Sequence, residues 1–437
     1  MSKGINRRKF LKQTAAGAGL VILSGSASAR AYAANEKLNT AVVGCGGQGR
    51  THLGPAASEN LVAVCDVDDQ RLAEAANGFP NAKTYNNYRR LYDAHKDLDA
   101  VFVATPDHSH FLAAMRAIAL GAGVYVEKPL TYCIWEARTL AEFAREKKVA
   151  TQMGNQGHCG EGIRRCCEYI WAGAVGNILE AHAILGRNFG GSGGRPQSKP
   201  APKGLHWDLW LGPAPYRDYH DGLHPFHWRS WRQFGTGTIG DMGCHNLDAL
   251  FWALRIGQVK TFTVECINTK GGSDEMYPQD NVIRWDIPAR GDMPPVKVFS
   301  YDHGGLKPEI MTETEKKYER EFGEFTLFVG EKGLIGSDAR IIPEEKHKAF
   351  PSPEKTLPRA HGGPHEDLFH GVKNGTAPCS NFIDSAGPLT EFVLAGHLAM
   401  FAGVGKKLEW DVEKMQCTNV PEINQYVRRD YRKGWDL

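Results

Sequence analysis

The 437-residue chain has ten cysteines but no C-x-x-C pair, and no Cys/His spacing of the zinc-binding kind. No zinc module, and no metal site of any kind, is therefore expected. It has no uninterrupted apolar run of the ~18 residues a membrane-crossing helix needs, so no membrane span is expected. It has no internal repeat of fixed period, which sets aside repeat architectures. Acidic residues are missing altogether from residues 1–33, where Lys3, Arg7, Arg8, Lys9, Lys12 and Arg30 supply six positive charges. The formal charge of +2 for the whole chain therefore becomes −4 for the remainder. That remainder is mildly acidic and has no Lys/Arg cluster, so it offers no electrostatic footprint for nucleic acid.

What is present describes a folded protein: 42% hydrophobic, 10% aromatic and 23% charged residues. The length suggests two domains. Arg7-Arg8 with Phe10 and Leu11, the apolar stretch Ala15 to Leu23, and Ala31-Tyr32-Ala33 together resemble a twin-arginine export signal with an A-x-A-like cleavage site. Residues 1–33 are read as that signal, and a periplasmic location is the expectation.

From residue 34 onward, short Val/Ala-rich runs ("NTAVVG", "LVAVCDVD", "LDAVFVATP", "GVYVEKP") alternate with helical patterns such as "DQRLAEAANGF" and "HFLAAMRAIALGAG". This alternation predicts a doubly wound parallel sheet covered on both faces, over residues 34–156. Gly44, Gly46 and Gly49 fit G-x-G-x-x-G at the end of the first strand. The first glycine allows the tight turn, the second allows close approach of a pyrophosphate, and the third lets helix and strand pack. The helix N-terminus then offers free N–H groups to phosphates. Asp66 closes the second strand about 20 residues later, where a carboxylate accepts hydrogen bonds from a ribose and repels a 2′-phosphate, favouring NAD. "ATPDHSH" (Ala104 to His110) and "VEKPL" (Val126 to Leu130) fall at later strand ends, where such sheets bind ligands. A lysine at Lys128 beside bound nicotinamide could hold or exchange a proton with a substrate hydroxyl.

With "GCGGQG", "ATPDHSH", "VEKP" and "GTGTIGDMGCHNLDALFW", the chain resembles the Gfo/Idh/MocA family, from about Leu38 to about Gly405. The resemblance implies a Rossmann domain followed by an α+β domain with a large, mainly antiparallel sheet, over residues 157–405. It implies NAD contacts from Gly44, Gly46, Gln48, Gly49, Asp66, Thr105, Pro106, His110, Glu127 and Lys128, and from Asn155 or Gln156 in "TQMGNQGH". It makes Lys128 catalytic and places the family's D-x-x-x-H element on Asp241 and His245. Residues four apart on a helix share a face, so that pair can point into one cleft. A histidine with ordinary pKa ~6.5 suits removal of a hydroxyl proton near neutrality. His245 is thus read as general base, Asp241 as orienting it or binding substrate, and Lys128 as lowering the pKa of the reacting hydroxyl.

Around Trp207, Trp210, Trp228 and Trp231 the sequence is rich in aromatics and histidines. Two readings stand there: an aromatic core under a long loop, or a sugar-binding rim that includes His227, Trp228 and Arg229. "VKTFTVECIN", "NVIRWDIP", "VKVFSYDH" and "EFTLFVGEKGLIGSD" predict antiparallel strands, with Tyr301 and His303 able to reach the cleft. His365 is read as structural, and residues 406–437 as an extension wrapping its own domain or a neighbouring subunit. Cys45 and Cys65 are read as small buried residues. Cys159, Cys166 and Cys167 lie close together, with their disulfide state open.

An exported nicotinamide enzyme has no free NAD outside the membrane, so its cofactor must be loaded beforehand and returned to its starting state in each cycle. The expectation is an NAD-dependent oxidoreductase that acts on a sugar, polyol or glycoside and assembles as a homo-oligomer. Two alternatives stand beside it: an NAD-dependent glycoside hydrolase resembling family 109, and a non-catalytic sugar-binding protein on the same scaffold.

Overall fold

The computed structural model describes residues 36–323 and 325–436. The signal-peptide reading of residues 1–33 lies outside them. The first lobe is a six-stranded parallel sheet of β1 (Asn39–Val43), β2 (Asn60–Cys65), β3 (Lys83–Tyr85), β4 (Ala100–Val103), β5 (Gly123–Val126) and β6 (Thr151–Met153). Its order is β3-β2-β1-β4-β5-β6. Helices α1 (Arg50–Ser58), α2 (Asp69–Gly78), α3 (Tyr88–Ala94), α4 (His110–Ala119) and α5 (Ile134–Lys147) connect the strands. β4 and β5 are buried along their whole length, which is why they read as unbroken apolar runs rather than alternating ones. The order reverses between β1 and β4, so a crevice opens beyond the carboxyl ends of these strands.

Helix α6 (Glu161–Trp171) leads into the second lobe, followed by β7 (Ile178–Ile184), the short α7 (Trp207–Leu211), α8 (Gly237–Asn246) and α9 (Asp248–Ala253). The strands β8 (Thr261–Lys270), β9 (Asp280–Ile287) and β10 (Val296–Tyr301) come next. Then follow α10 (Glu309–Tyr318), β11 (Thr326–Gly330), β12 (Gly333–Gly336), β13 (Ile341–Ile342), α11 (Glu344–Ala349), α12 (Pro364–Asn374) and α13 (Gly387–Ala402). The nine-stranded sheet runs β13-β12-β11-β7-β10-β9-β8-β14-β15, with β14 (Leu408–Asp411) and β15 (Gln416–Cys417) at one edge. Only the β7–β10 pair is parallel. The four predicted segments supply β8 to β12. β3 and β7 escaped the pattern, the first because it is three residues long and largely solvated.

α13 is apolar nearly all round, and it is buried between α5, α8 and β8, where such a helix must lie. The segment after residue 405 adds two strands to its own domain and then crosses to the first lobe, where Trp435 packs near Tyr88 under the Arg89 guanidinium.

Candidate active site

The glycine loop is built as its sequence requires. Gly44 has φ +91°, and a Cβ there would lie 2.5 Å from the Ala104 carbonyl oxygen. A Cβ on Gly49 would lie 1.8 Å from the Gly44 carbonyl oxygen, so helix and strand touch backbone to backbone. Gly46 differs, because the nearest atoms a Cβ there would meet, at 2.3 to 2.6 Å, belong to the flexible side chain of Arg71. The short turn Gly47–Gly49 that runs into α1 begins without an acidic residue and without a side-chain cap, which leaves the first N–H groups of that turn for an anion. Asp66, closing β2, accepts from the backbone N–H groups of Cys45 (2.7 Å) and Asp68 (2.9 Å). Burial raises its pKa against these hydrogen bonds. Thr105 Oγ1 is buried beside the loop with no hydrogen-bond partner among the described residues. A glycine faced by a movable side chain, an uncapped helix start and an orphaned hydroxyl make a cradle that fits a dinucleotide.

At the end of β5, Lys128 Nζ lies 2.8 Å from Asp241 Oδ1. Arg229 Nε donates to the other oxygen at 3.0 Å. Burial opposes charge on Asp241, but the two cations outweigh it and hold its carboxyl below the usual carboxylate range. Asp241 therefore braces Lys128 and Arg229, where the sequence suggested an imidazole partner. Both its oxygens are already engaged by cations. His245, one turn along α8, makes no hydrogen bond among the described residues but feels the charges of Lys128, Asp241, Glu127 and Asp248. Burial first, then the Lys128 ammonium, lower its pKa against the pull of those carboxylates, so its ring is neutral near pH 7.

Glu127 sits next to Lys128 and gathers a second group. Gln48 and Gln156 reach its Oε1 at 3.4 and 3.3 Å, and His52 Nε2 lies 3.1 Å away. Burial would raise its pKa, but His52 first and then the Lys128 ammonium outweigh it and hold the carboxyl below its usual range, so it is ionised. His52 was missed by the sequence reading, although Gln48, in the turn leading into α1, and His52, in its first turn, both reach Glu127. His52 Nδ1 in turn meets His365 Nε2 at 2.8 Å, and the His365 ring stacks on Tyr125.

Other expected residues play different parts. His110 is buried with its ring nitrogens on the carbonyl oxygens of Pro129 (2.9 Å) and Thr105 (2.7 Å), so it braces the two strand-end loops instead of facing the crevice. Pro106 caps the short turn that follows Thr105. Asn155 is buried, donating to Asp248 (3.0 Å) and accepting from Ser380 (2.6 Å), which leaves its amide no free end. Asp248 also holds His158, a residue the sequence reading passed over. Trp228 is 5% exposed and stacks 4.3 Å from the Arg229 guanidinium, while His227 is exposed. Phe226 and Phe189 flank the same guanidinium at 4.6 and 5.8 Å, and neither had been singled out. Trp210 and Trp231 belong to a buried aromatic cluster, as the core reading of that stretch has it. Tyr301 spends its hydroxyl on His182 (3.1 Å) and His303 pairs with Asp280 (2.6 Å), and neither contacts the Lys128 group among the described residues.

The model of the Gfo/Idh/MocA oxidoreductase family, described as an NAD-binding Rossmann fold, matches residues 38–155, and its C-terminal alpha/beta domain matches residues 188–278. Over these two stretches the chain matches the Gfo/Idh/MocA oxidoreductase family. The cradle described above lies within the stretch matched by the NAD-binding Rossmann model. Among curated relatives, the rhizopine catabolism protein MocA of Rhizobium meliloti is 27% identical over 48% of this chain and 55% of its own length. Levoglucosan dehydrogenase of Pseudarthrobacter phenanthrenivorans is 23% identical over 49% and 50%. The chain spans about half the length of the curated relatives it matches. The crystal structure of GenD2 from gentamicin A biosynthesis, in complex with NAD, superposes with TM-score 0.56 at 20% identity, covering 88% of this chain and 99% of its own. At that identity the likeness speaks for the fold.

Proposed function

We propose that the protein oxidises a secondary hydroxyl of a sugar, polyol or glycoside, using NAD that it retains through each cycle. The observation that carries this reading is the Lys128–Asp241 pair at the carboxyl end of β5, next to Glu127 and one helical turn from a neutral His245. Bound NAD supplies the hydride acceptor. His245 takes the hydroxyl proton as the C–H pair leaves and the C=O bond forms. Lys128 donates to the oxygen as negative charge develops there, and Asp241 and Arg229 keep that ammonium in place. The aromatic rings around Arg229 offer apolar faces for the C–H surface of a sugar. The names of two relatives, a rhizopine catabolism protein and a levoglucosan dehydrogenase, point to the same substrate class.

Retention of the cofactor is supported by a strap from the second lobe over the ribose end of the crevice. Asp69 N donates to Gly204 O (2.9 Å), His206 N donates to Val67 O (2.9 Å), and His224 pairs with Asp68 at 2.8 Å. A retained cofactor suits the export signal read at residues 1–33, and export to the periplasm is part of the proposal. So is a homo-oligomer formed through the nine-stranded sheet, which presents Leu179 and Ile267 to solvent.

The test is to incubate the purified protein with free sugars, polyols and aryl glycosides, with and without added NAD. Reduced cofactor appearing with an oxidised sugar or polyol is the expected result. Release of the aryl group with no net NADH would move the activity to a redox hydrolase. Blank turnover with intact sugar binding would leave only a binding protein.

A further inference from the structure

Away from this chemistry, the fold brings together two cysteines that are distant in sequence. Cys159 ends the turn after β6, and Cys379 lies in the turn between α12 and α13. Their thiols and the Asp367 carboxylate lie within 4.8 Å of one another. One backbone bond and one side-chain bond hold the two segments side by side: Met153 N donates to Ser380 O, and Ser380 N donates to the Gln152 side-chain Oε1, both at 3.0 Å. Both cysteines are half-buried and within reach of a small reagent. The sequence neighbours Cys166 and Cys167 are fully buried, and burial raises both thiols, so closeness in sequence does not select the pair.

The surroundings disfavour a cation and lower one of the two thiols, Cys159. Arg164 Nη2 lies 2.9 Å from Cys379 Sγ, and the same guanidinium donates to the carbonyl oxygens of Pro358 (2.7 Å), His158 (2.5 Å) and Gly160 (3.0 Å). The fixed positive charge beside Cys379 repels a metal ion and pulls that thiol down, although its bond to Cys159 and burial raise it overall. Asp367 already accepts from His361 N (2.9 Å) and Cys379 N (2.7 Å).

We propose that Cys159 and Cys379 form a redox-active dithiol that closes to a disulfide by exchange with a low-molecular-weight disulfide. The Cys159 thiolate attacks one sulfur of the reagent, forms a mixed disulfide and expels the first small thiolate. Cys379, deprotonated, attacks the Cys159 sulfur and expels the second. The two protein thiols lose two electrons and two protons, and the reagent becomes two thiols. The hydrogen bond from the Cys379 S–H holds the Cys159 thiol below its usual range, which suits Cys159 as the first nucleophile. The bridge would tie the loop carrying Asn155 and Gln156 to the segment whose Ser380 already holds Asn155.

The experiment treats the reduced full chain with oxidised glutathione, alkylates the remaining thiols and maps peptides without reduction. One cross-linked peptide joining Cys159 to Cys379, with both lost to alkylation, is the expected result. In Cys379→Ser, Cys159 is expected to keep a glutathione that the native chain expels. Both thiols remaining alkylatable, a cross-link to another cysteine, or an unmodified Cys159 in the variant would each overturn the proposal. So would zinc that stays bound through gel filtration and blocks the cross-link.

Discussion

His245 owes its readiness as a base to its surroundings. Its folded-state pKa is depressed, so the unfolded chain binds its proton more readily, and this share of stability falls as pH drops through the ordinary imidazole value. Activity follows the same group: the acid limb of kcat/KM is expected below pH ~6.5, with full activity at pH 7. His245→Ala should remove that limb and lower kcat/KM by ~10²–10⁴-fold. Asp241→Asn should move the limb to still lower pH, because it deletes a carboxylate that raises the imidazole pKa while leaving two cations beside it. A pH–rate profile of each variant checks both. The glycines divide by the same kind of local reasoning. Gly46→Ala meets only the Arg71 side chain, so it should fold normally and weaken NAD binding about tenfold, worth ~1.4 kcal/mol. Gly49→Ala meets the Gly44 carbonyl oxygen and should cost ~1–3 kcal/mol of stability instead. Calorimetric titration with NAD and thermal melts separate the two outcomes.

Among the elements, the strap over β2 and α2 joins the cofactor crevice to the second lobe. Its contacts are the antiparallel bridge between Asp68 and Leu205 and the carboxylate pairs of His206 and His224. His224 is the better buried of the two histidines, and only its pair has both partners largely shielded from solvent. His224→Ala should therefore speed NAD release about tenfold, as the loss of ~1.4 kcal/mol of hydrogen bonding implies. His206→Ala should change it little, since exposed pairs contribute ~0–1 kcal/mol. Stopped-flow displacement of bound NADH measures the difference. If release is equally fast in the native chain and in His224→Ala, the strap does not hold the cofactor.

Across the whole molecule, legibility ended where contacts became long-range. The glycine loop, Asp66, the long buried strands of the first sheet and β8 to β12 of the second follow from local periodicity and turn chemistry, which act over a few residues. The ion pair between Lys128 and Asp241 could be approached only through the family resemblance, because no spacing rule links residues on different lobes. Arg229 as the second cation on Asp241, His224 on Asp68 and Cys379 beside Cys159 left no local trace at all. The tail shows the same limit most plainly. Its crossing to the first lobe rests on Arg429, whose guanidinium lies 2.8 Å from the fully buried Glu136 and also donates to the His108 carbonyl oxygen at 2.5 Å. Tyr431 donates to the same carboxylate at 3.0 Å. His108 belongs to the strand-end loop that lines the crevice, and its ring in turn meets the Trp210 carbonyl oxygen of the second lobe at 2.9 Å. One arginine thus links tail, crevice and both lobes. Arg429→Ala leaves Glu136 buried with a tyrosine hydroxyl and one backbone N–H, so it should cost ~3–5 kcal/mol, the penalty for stripping a buried charge of its partner. Arg429→Met with Glu136→Gln removes both charges and keeps much of the volume, and it should recover most of that loss. Denaturant melts of the two variants decide the matter: equal loss in both would mean that the arginine acts by packing, not by neutralising Glu136.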